Sequence, residues 1–231
     1  MTVGSGLMSK ERPLIPHLAR AGKEVGDLRG DVVRAMSALR ARCIEEYTDA
    51  PAAAADSILT AGAGLISSLV EQELLPADLD GVLGANLGYA RKLVVTTGGA
   101  TPAESPASMD VEGIDMQGKA VSETMVLSQV AGTDSSAKLY KDFTKITLPA
   151  GTGAGATFTF GHGDELGLTY PPKARAGGVD LLWEKESTLG VVATGTLTDA
   201  ATDAPYGSYL PATVPDGLED YAIEYEYDPT V

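Results

Sequence analysis

The sequence lacks most of the residues on which metal and cofactor chemistry depends. Its 231 residues include one cysteine and two histidines. The single cysteine, Cys43, excludes a disulfide within the chain and a thiolate metal cluster. The two histidines, His17 and His162, are too few for a histidine-based metal site, which needs three or four converging ligands. We therefore expect no catalytic residues, no cofactor and no bound metal.

Long apolar runs and a surplus of positive charge are also missing. No apolar segment approaches the roughly 18 residues needed to span a bilayer, and the first residues lack the apolar region of a secretion signal. The formal net charge is −15, so the chain repels phosphate backbones and anionic lipids. We expect a soluble protein made inside the cell that binds neither nucleic acid nor a membrane.

The charge is distributed unevenly along the chain. Residues 1–50 carry 8 basic and 7 acidic side chains, whereas residues 51–231 carry 9 and 25. The length allows one large or two small domains. We divide the chain into an arm and helix (residues 1–50), a bridging segment (51–90) and an acidic β domain (91–231).

The first segment predicts an extended arm followed by one amphipathic helix. Glycines and prolines among residues 1–23 disfavour regular structure. From Glu24 to Tyr47, apolar residues recur at spacings of three and four, which is typical of one helical face that includes Cys43 as a small buried residue. The candidate residues for contact with a neighbouring subunit or another protein are Pro13, Leu14, Ile15, Leu28, Val32, Met36 and Leu39.

The rest of the chain indicates β structure. Residues 51–90 predict a short strand followed by a loop or a helical turn. After Arg91 the apolar period changes to two, in the runs "KLVVTT", "SMDVEGID", "AVSETMVLS", "FTKITL" and "TFTFG". The segments between them, including "AGTDSSA" and "PAGTGAGA", have turn composition. This pattern predicts a mainly β fold, an antiparallel sandwich or barrel-like domain preceded by the arm and the helix.

The last strand of the predicted β domain has two different faces. The run "YAIEYEYDP" alternates tyrosine and isoleucine with alanine and acidic residues. We expect Tyr221, Ile223 and Tyr225 to be buried, and Glu224 and Glu226 to face solvent.

Two motifs could in principle bind ions. The stretch "GTGAGA" contains the glycines of a phosphate loop, but a strand follows it instead of a helix, which favours a hairpin turn. His162, Asp164 and Glu165 follow that strand and are typical of a solvated turn.

Acidic residues elsewhere offer equally weak evidence for a site. Asp110, Glu112 and Asp115 do not match the spacing of a calcium loop and fit outward-facing strand positions. Glu184 and Glu186 share one face of a predicted strand, which we expect to be solvated. A glycosidase that uses only carboxylates stays open as a minor alternative.

The segments "KLVVTTGGATPAESPASMDVEGIDMQGKAVSETMVLSQVAGT" and "FTKITLPAGTGAGATFTFGHGDELGL" carry a resemblance that covers residues 91–168, about a third of the chain. They resemble small β-domain virion proteins of tailed bacteriophages. It implies a head decoration or cement protein that binds the major capsid protein or other virion proteins. The implied assembly is a homo-oligomer, which we expect to be a trimer, on the capsid surface of a virion assembled in the host cytoplasm.

Two other roles remain open. The chain could be a head-to-tail connector or a tail component that forms a ring. It could also be a glycan- or receptor-binding surface module, in which Trp183 and the tyrosines offer stacking faces. Trp183 follows Leu181 and Leu182, which favours a core position instead.

Overall fold

The described part of the protein is almost entirely β structure. The computed structural model describes residues 41–60, 65–66, 68–173, 181–186, 190–192, 195–198 and 207–227. Every strand pair there is antiparallel, and the helical segments described are single 3₁₀ turns at Pro76–Asp78 and Pro102–Glu104. No helix in these ranges has the length and apolar character needed to cross a bilayer. The mainly β, antiparallel prediction is confirmed.

Fifteen strands are described, and all belong to a compact unit that spans Ala41–Val231. They are β1 (Arg42–Tyr47), β2 (Ala54–Leu59), β3 (Leu65–Ile66), β4 (Gln72–Leu74), β5 (Asn86–Gly99), β6 (Ser108–Ile114), β7 (Ala120–Val126), β8 (Gly132–Leu148), β9 (Ala156–His162), β10 (Leu166–Gly167), β11 (Leu181–Glu186), β12 (Gly190–Val192), β13 (Thr196–Thr198), β14 (Ser208–Leu210) and β15 (Tyr221–Glu226).

Three sheets organise these strands. The largest has the order β2-β9-β5-β8-β6-β7, with β3 also pairing with β9 and β4 with β8. A second sheet has the order β1-β15-β11-β12, and a third has the order β10-β14-β13. The two longest strands, β5 and β8, lie side by side in the largest sheet, and two register shifts interrupt their ladder.

Two hydrophobic cores match this arrangement. The larger core is formed by the main sheet and contains all three phenylalanines, Phe143, Phe158 and Phe160. The second core is rich in tyrosine and contains Tyr47, Tyr209, Tyr221 and Tyr225 together with aliphatic residues. Because buried aromatic side chains each remove a large apolar area from water, these few rings account for much of the interior.

The helix predicted from Glu24 to Tyr47 is wrong over its last six residues. Arg42–Tyr47 form β1, which pairs with β15 in the register Cys43↔Tyr225 and Tyr47↔Tyr221. Cys43 and Tyr47 are four residues apart, a spacing that also fits one face of a strand, so the sequence pattern did not distinguish the two structures. The compact unit begins at Ala41, which is not helical either, and residues 24–40 of the predicted helix lie outside the described residues.

The predicted segments that follow need further corrections. Residues 51–90 contain β2 and a 3₁₀ turn, as predicted, but also β3, β4 and the first residues of β5, which the prediction of a single short strand did not include. The "AGTDSSA" stretch was predicted as a turn, but most of it forms the first part of β8. The "GTGAGA" stretch connects β8 to β9, but these strands flank β5 and do not pair with each other as a hairpin.

The two-faced character of the last strand is only partly as predicted. Tyr221, Ile223 and Tyr225 are buried, as expected. Glu226 was expected to face solvent, yet its exposed fraction is 4%. It lies at the end of β15, where its backbone oxygen accepts a 2.8 Å hydrogen bond from the N–H of Lys173.

Candidate functional site

The glycine-rich connection between β8 and β9 closes around a carboxylate of the same chain. The Gly155 N–H donates a 2.6 Å hydrogen bond to Oε2 of Glu104, and the Thr152 N–H donates at 3.0 Å to the Glu104 backbone oxygen. A side chain at Gly153 would collide with the Glu104 carboxyl group. The β8–β9 segment is a connection between strands, as predicted. The carboxylate of Glu104 occupies the space beside its glycines.

Four loops meet beside this contact. The Gly151 N–H donates to the backbone oxygen of Ser68 at 2.7 Å, and Nε2 of Gln129 donates to that of Ser105 at 2.9 Å. These bonds and the Glu104 contacts connect residues 68–70, 100–107, 126–131 and 149–155. We call these four segments together the loop pole.

The loop pole exposes apolar side chains. The exposed fractions are 72% for Leu69, 70% for Val70, 76% for Val126 and 66% for Val130. Exposed alanines on the same segments extend the apolar surface; they are Ala100, Ala103, Ala107, Ala131, Ala150 and Ala154. Isolated exposed apolar residues are ordinary, but a group of them on connected loops is typical of an interaction surface.

The loop pole is also poor in charge. The chain as a whole is 21% charged, yet the four segments contain one charged residue, Glu104. Its carboxylate is engaged by the Gly155 N–H. Depletion of charge is the compositional feature that distinguishes the centre of protein–protein interfaces from other protein surface.

Hydrogen bonds between the loops hold this surface in one arrangement. The Leu127 N–H donates to the Ala107 backbone oxygen at 2.9 Å, and Ser128 donates to Asp134 through both its N–H and its hydroxyl at 2.7 Å. A surface that is ordered before binding loses less conformational entropy when a partner binds.

A groove on the outer face of β6 and β7 offers a second concave surface. Its volume is about 530 Å³, and its lining includes Asp110, Glu112 and Glu123. Each carboxylate already has a partner: Asp110 accepts from the Thr124 hydroxyl at 2.6 Å, Glu112 pairs with Lys145 at 2.8 Å, and Glu123 accepts from β8. The groove therefore offers neither a free acid–base pair nor a set of free ligands.

The predicted calcium alternative at Asp110, Glu112 and Asp115 finds no support in the geometry. Asp115 was expected to face outward, but it is 2% exposed and accepts 2.9 Å hydrogen bonds from the N–H groups of Gln117 and Lys119. It closes the turn between β6 and β7. Among the described residues, no group of three or more His, Cys, Asp or Glu side chains is placed to hold a metal ion.

His162 was expected in a solvated turn, and this is wrong. It ends β9 with an exposed fraction of 1%, because the strand continues two residues past Phe160 and turns the ring inward. Burial lowers the pKa of the imidazole below its usual value. Its neighbours are Arg91 and the backbone oxygen of Gly163.

A buried carboxylate, Glu45, organises the tyrosine-rich core. It accepts hydrogen bonds from the Tyr47 hydroxyl at 2.7 Å, from the Thr169 N–H at 2.7 Å and from the Tyr225 hydroxyl. Burial, followed by the charge of Glu45, raises the pKa of both tyrosines well above the usual range. The cluster is satisfied internally, so its role is to join β1, β15 and the segment after β10.

None of the seven residues that the sequence nominated as contacts is tested by this geometry. Pro13, Leu14, Ile15, Leu28, Val32, Met36 and Leu39 lie outside the described residues. Trp183 lies in β11, where its register partner is Glu224, and Glu184 and Glu186 lie in the same strand.

The loop pole was missed at the level of the sequence, although a signal was present. The segments "ATPAESPA", "VLSQVA" and "PAGTGAG" contain one charge among them, in a chain with 49 charged residues. Their turn composition was recognised, but their shared lack of charge becomes meaningful only once the fold brings them together.

Comparisons with family models, with curated proteins and with solved structures found no match for this chain.

Proposed function

We propose that this chain is a non-enzymatic structural protein of a tailed-bacteriophage virion, which binds the capsid lattice as a decoration or cement protein. The observation that carries the proposal is the loop pole, an apolar and charge-poor surface on a chain of net charge −15. Such a surface is suited to lie against another protein.

The distribution of charge supports the proposal that the loop pole binds another protein. Residues 51–231 carry 25 acidic and 9 basic side chains, so free copies repel one another. At the loop pole this repulsion is weakest, because Glu104 is its one charged residue and is hydrogen-bonded to Gly155. Contact with a capsid surface through the loop pole therefore desolvates few charges.

The resemblance to phage head proteins falls on the same part of the chain. It covers residues 91–168, and three of the four segments of the loop pole lie within that range: 100–107, 126–131 and 149–155. The resemblance and the apolar surface are independent observations, since one rests on strand and turn composition and the other on exposure.

We also propose that the main sheet curls towards a barrel. Glu123 of β7 accepts hydrogen bonds from the Ala137 N–H at 3.1 Å and the Tyr140 hydroxyl at 3.2 Å, both on β8. Nζ of Lys138 donates a 2.6 Å hydrogen bond to the backbone oxygen of Ser122, on β7. These bonds connect the outermost strand to a strand two positions away in the sheet order, which supports a closed shape.

In this proposal residues 1–40 form a second contact, through an arm and a helix. The residues assigned to it are Pro13, Leu14, Ile15, Leu28, Val32, Met36 and Leu39. The partner is the major capsid protein, and the chain assembles as a homo-oligomer, for which we propose a trimer, at the capsid surface.

A single added charge at the loop pole tests the proposal. Val130→Asp should weaken binding to capsids stripped of this protein at least tenfold, because the new carboxylate would lose its hydration in the contact. The measurement is cosedimentation of the purified full chain with such capsids from the phage that encodes it.

The matched control is Val82→Asp, which makes the same change at a loop residue that is 94% exposed and lies outside the loop pole. It should bind like the unaltered chain, and circular dichroism should show both variants folded. Equal binding by Val130→Asp and the unaltered chain would contradict a docking role for the loop pole.

The number of copies per particle tests the assignment to the capsid lattice. Quantitative mass spectrometry of purified virions, scaled to the major capsid protein, should find hundreds of copies. A dozen or fewer would move the protein to the neck or tail, and absence would contradict the virion assignment.

A further inference from the structure

Arg91 is a buried arginine with one bonded edge and one free edge. It lies in β5, and its exposed fraction is 0%. Its Nη1 donates a 3.0 Å hydrogen bond to the backbone oxygen of Gly163 and lies 3.3 Å from Nδ1 of His162. These contacts fix the guanidinium between β5 and the end of β9.

Three nitrogen atoms of this residue pair have no hydrogen-bond partner among the residues that the structure describes. They are Nε and Nη2 of Arg91 and Nε2 of His162. Nε–H and Nη2–H form one side of the planar guanidinium, with the parallel donor geometry that binds both oxygens of a carboxylate. An entire two-donor edge is therefore buried and unused.

Each of the two neighbouring acids has a hydrogen-bond partner other than Arg91. Oδ1 of Asp164 accepts from the Ala53 N–H at 3.1 Å, and Glu165 pairs with Lys92 at 2.9 Å while accepting from the Ser208 hydroxyl. Within the part of the chain that is described, no ion pair reaches Arg91.

A buried charge of this kind is costly without an anion beside it. Burial lowers the pKa of the Arg91 guanidinium to about 10, with the charge of Asp164 opposing the shift. The group therefore still carries its proton at neutral pH. His162 adds no positive charge there, because burial lowers its pKa.

We propose that Arg91 and His162 bind a small planar oxyanion of the carboxylate class, such as formate, inside the protein. The free edge of Arg91 holds the two oxygens, and the third polar atom of the proposed site is Nε2 of His162, whose ring contacts Arg91 through Nδ1. The ligand is small because Arg91 and His162 are 0% and 1% exposed. This site is separate from the loop pole and independent of the proposed function.

The experiment titrates sodium formate against the full chain at pH 8 while sodium gluconate keeps the total carboxylate constant. Gluconate is a carboxylate too large for a buried site, so it controls for ionic strength and general salt effects. Formate should raise the Tm along a saturating curve, by on the order of 5–10 °C at a concentration 100 times its Kd.

Two arginine variants separate the site from the rest of the surface. Arg91→Met should remove the formate dependence, whereas Arg42→Met should keep it, because Arg42 is an exposed arginine paired with Glu224 at 2.9 Å. Equilibrium dialysis of the unaltered chain against labelled formate should find one bound formate per chain. That measurement does not depend on whether Arg91→Met folds, and no bound formate would overturn the proposal.

Asp164→Asn tests whether the chain supplies the anion itself. If the site takes an external oxyanion, this variant keeps the formate dependence of the unaltered chain. If formate stabilises Asp164→Asn but not the unaltered chain, the Asp164 carboxylate is the occupant and the proposal is wrong.

Discussion

The Gly155 N–H donates a 2.6 Å hydrogen bond to Oε2 of Glu104, so the glycine-rich loop binds a carboxylate from the adjacent loop. Glycine at position 155 is required by space: an added Cβ would collide with Oγ1 of Thr101 and lie 2.8 Å from Oε2 of Glu104. The composition that resembles a phosphate loop is explained by an internal anion and a close approach of two loops.

Gly155→Ala should therefore destabilise the protein. We expect a loss of about 1–3 kcal/mol in the free energy of unfolding, which is typical of added atoms in a packed position. The loss is measured by urea denaturation. Gly132→Ala is the control, because nothing lies within 4 Å of an added Cβ there, and it should change stability by less than about 0.5 kcal/mol. Equal stabilities of the two variants would show that the loop adjusts freely around Glu104.

The Glu45 cluster predicts a large effect from one buried carboxylate. Glu45→Ala leaves the Tyr47 and Tyr225 hydroxyls and the Thr169 N–H without this acceptor. We expect a loss of about 3–5 kcal/mol, the range for disruption of a buried polar network. Glu46→Ala removes a carboxylate from the exposed face of the same strand and should cost less than about 0.5 kcal/mol. Urea denaturation of both variants gives the comparison, and similar midpoints would refute the role of the cluster.

Local alternation predicted the main sheet well. The runs "KLVVTT", "SMDVEGID" and "TFTFG" lie within or largely overlap β5, β6 and β9, because one buried face and one exposed face impose a period of two on the sequence. The tyrosines of the last strand are buried for the same reason.

Partners distant in sequence explain the failures. β1 is a strand because β15, about 180 residues later, pairs with it. Ser135 and Ser136 lie in a strand because β5 supplies the ladder, with Ser136 accepting from the Leu93 N–H at 2.8 Å. Neither pairing can be inferred from the local composition, so the residues of β1 were interpreted as the end of a helix and "AGTDSSA" as a turn.

The candidate site was harder to predict than the fold for a related reason. The loop pole is assembled from four segments that span residues 68 to 155, and the phosphate-loop-like glycines in one of them gave no indication of a protein-binding surface. Likewise, the position of His162 beside Arg91 follows from the β5–β9 register, in which Leu93 is the partner of His162. A site built from residues that are distant in sequence can be identified only from the folded structure.

Alkaline pH should unfold the protein steeply. Burial and neighbouring carboxylates raise the pKa of Tyr47, Tyr140 and Tyr225 above the usual value of 10. Above pH 10 the unfolded chain loses tyrosine protons that the folded chain keeps, so the free energy of unfolding falls as pH rises. Each tyrosine lowers the free energy of unfolding by about 1.4 kcal/mol per pH unit in this range. Burial lowers the pKa of Arg91 to about 10, so Arg91 has the opposite effect and offsets the contribution of one tyrosine.

The measurement is urea denaturation between pH 8 and 11, together with tyrosinate absorbance at each pH. Stability should be level below pH 9 with respect to these groups. The tyrosinate absorbance of Tyr225, taken as the difference between the unaltered chain and Tyr225→Phe, should appear together with unfolding. Tyr225→Phe should reduce the slope of the free energy of unfolding against pH, because unfolding of this variant releases about one proton fewer. Tyrosinate formation by all three tyrosines in a fully folded protein would contradict the burial of these hydroxyls.

The Cys43 thiol should react slowly in the folded protein. Burial, with the charge of Glu45 adding to it, raises the thiol pKa from 9.0 to about 11. Because the thiolate is the reactive form, the fraction available at pH 8 is about a hundredfold lower than for an ordinary thiol. Alkylation by iodoacetamide should therefore be about a hundredfold slower in buffer than in urea. In buffer the rate should keep rising about tenfold per pH unit up to the pH at which the protein unfolds. A plateau of the rate near pH 9 in the folded chain would show that the thiol titrates normally and that the β1–β15 contact around Cys43 is open to water.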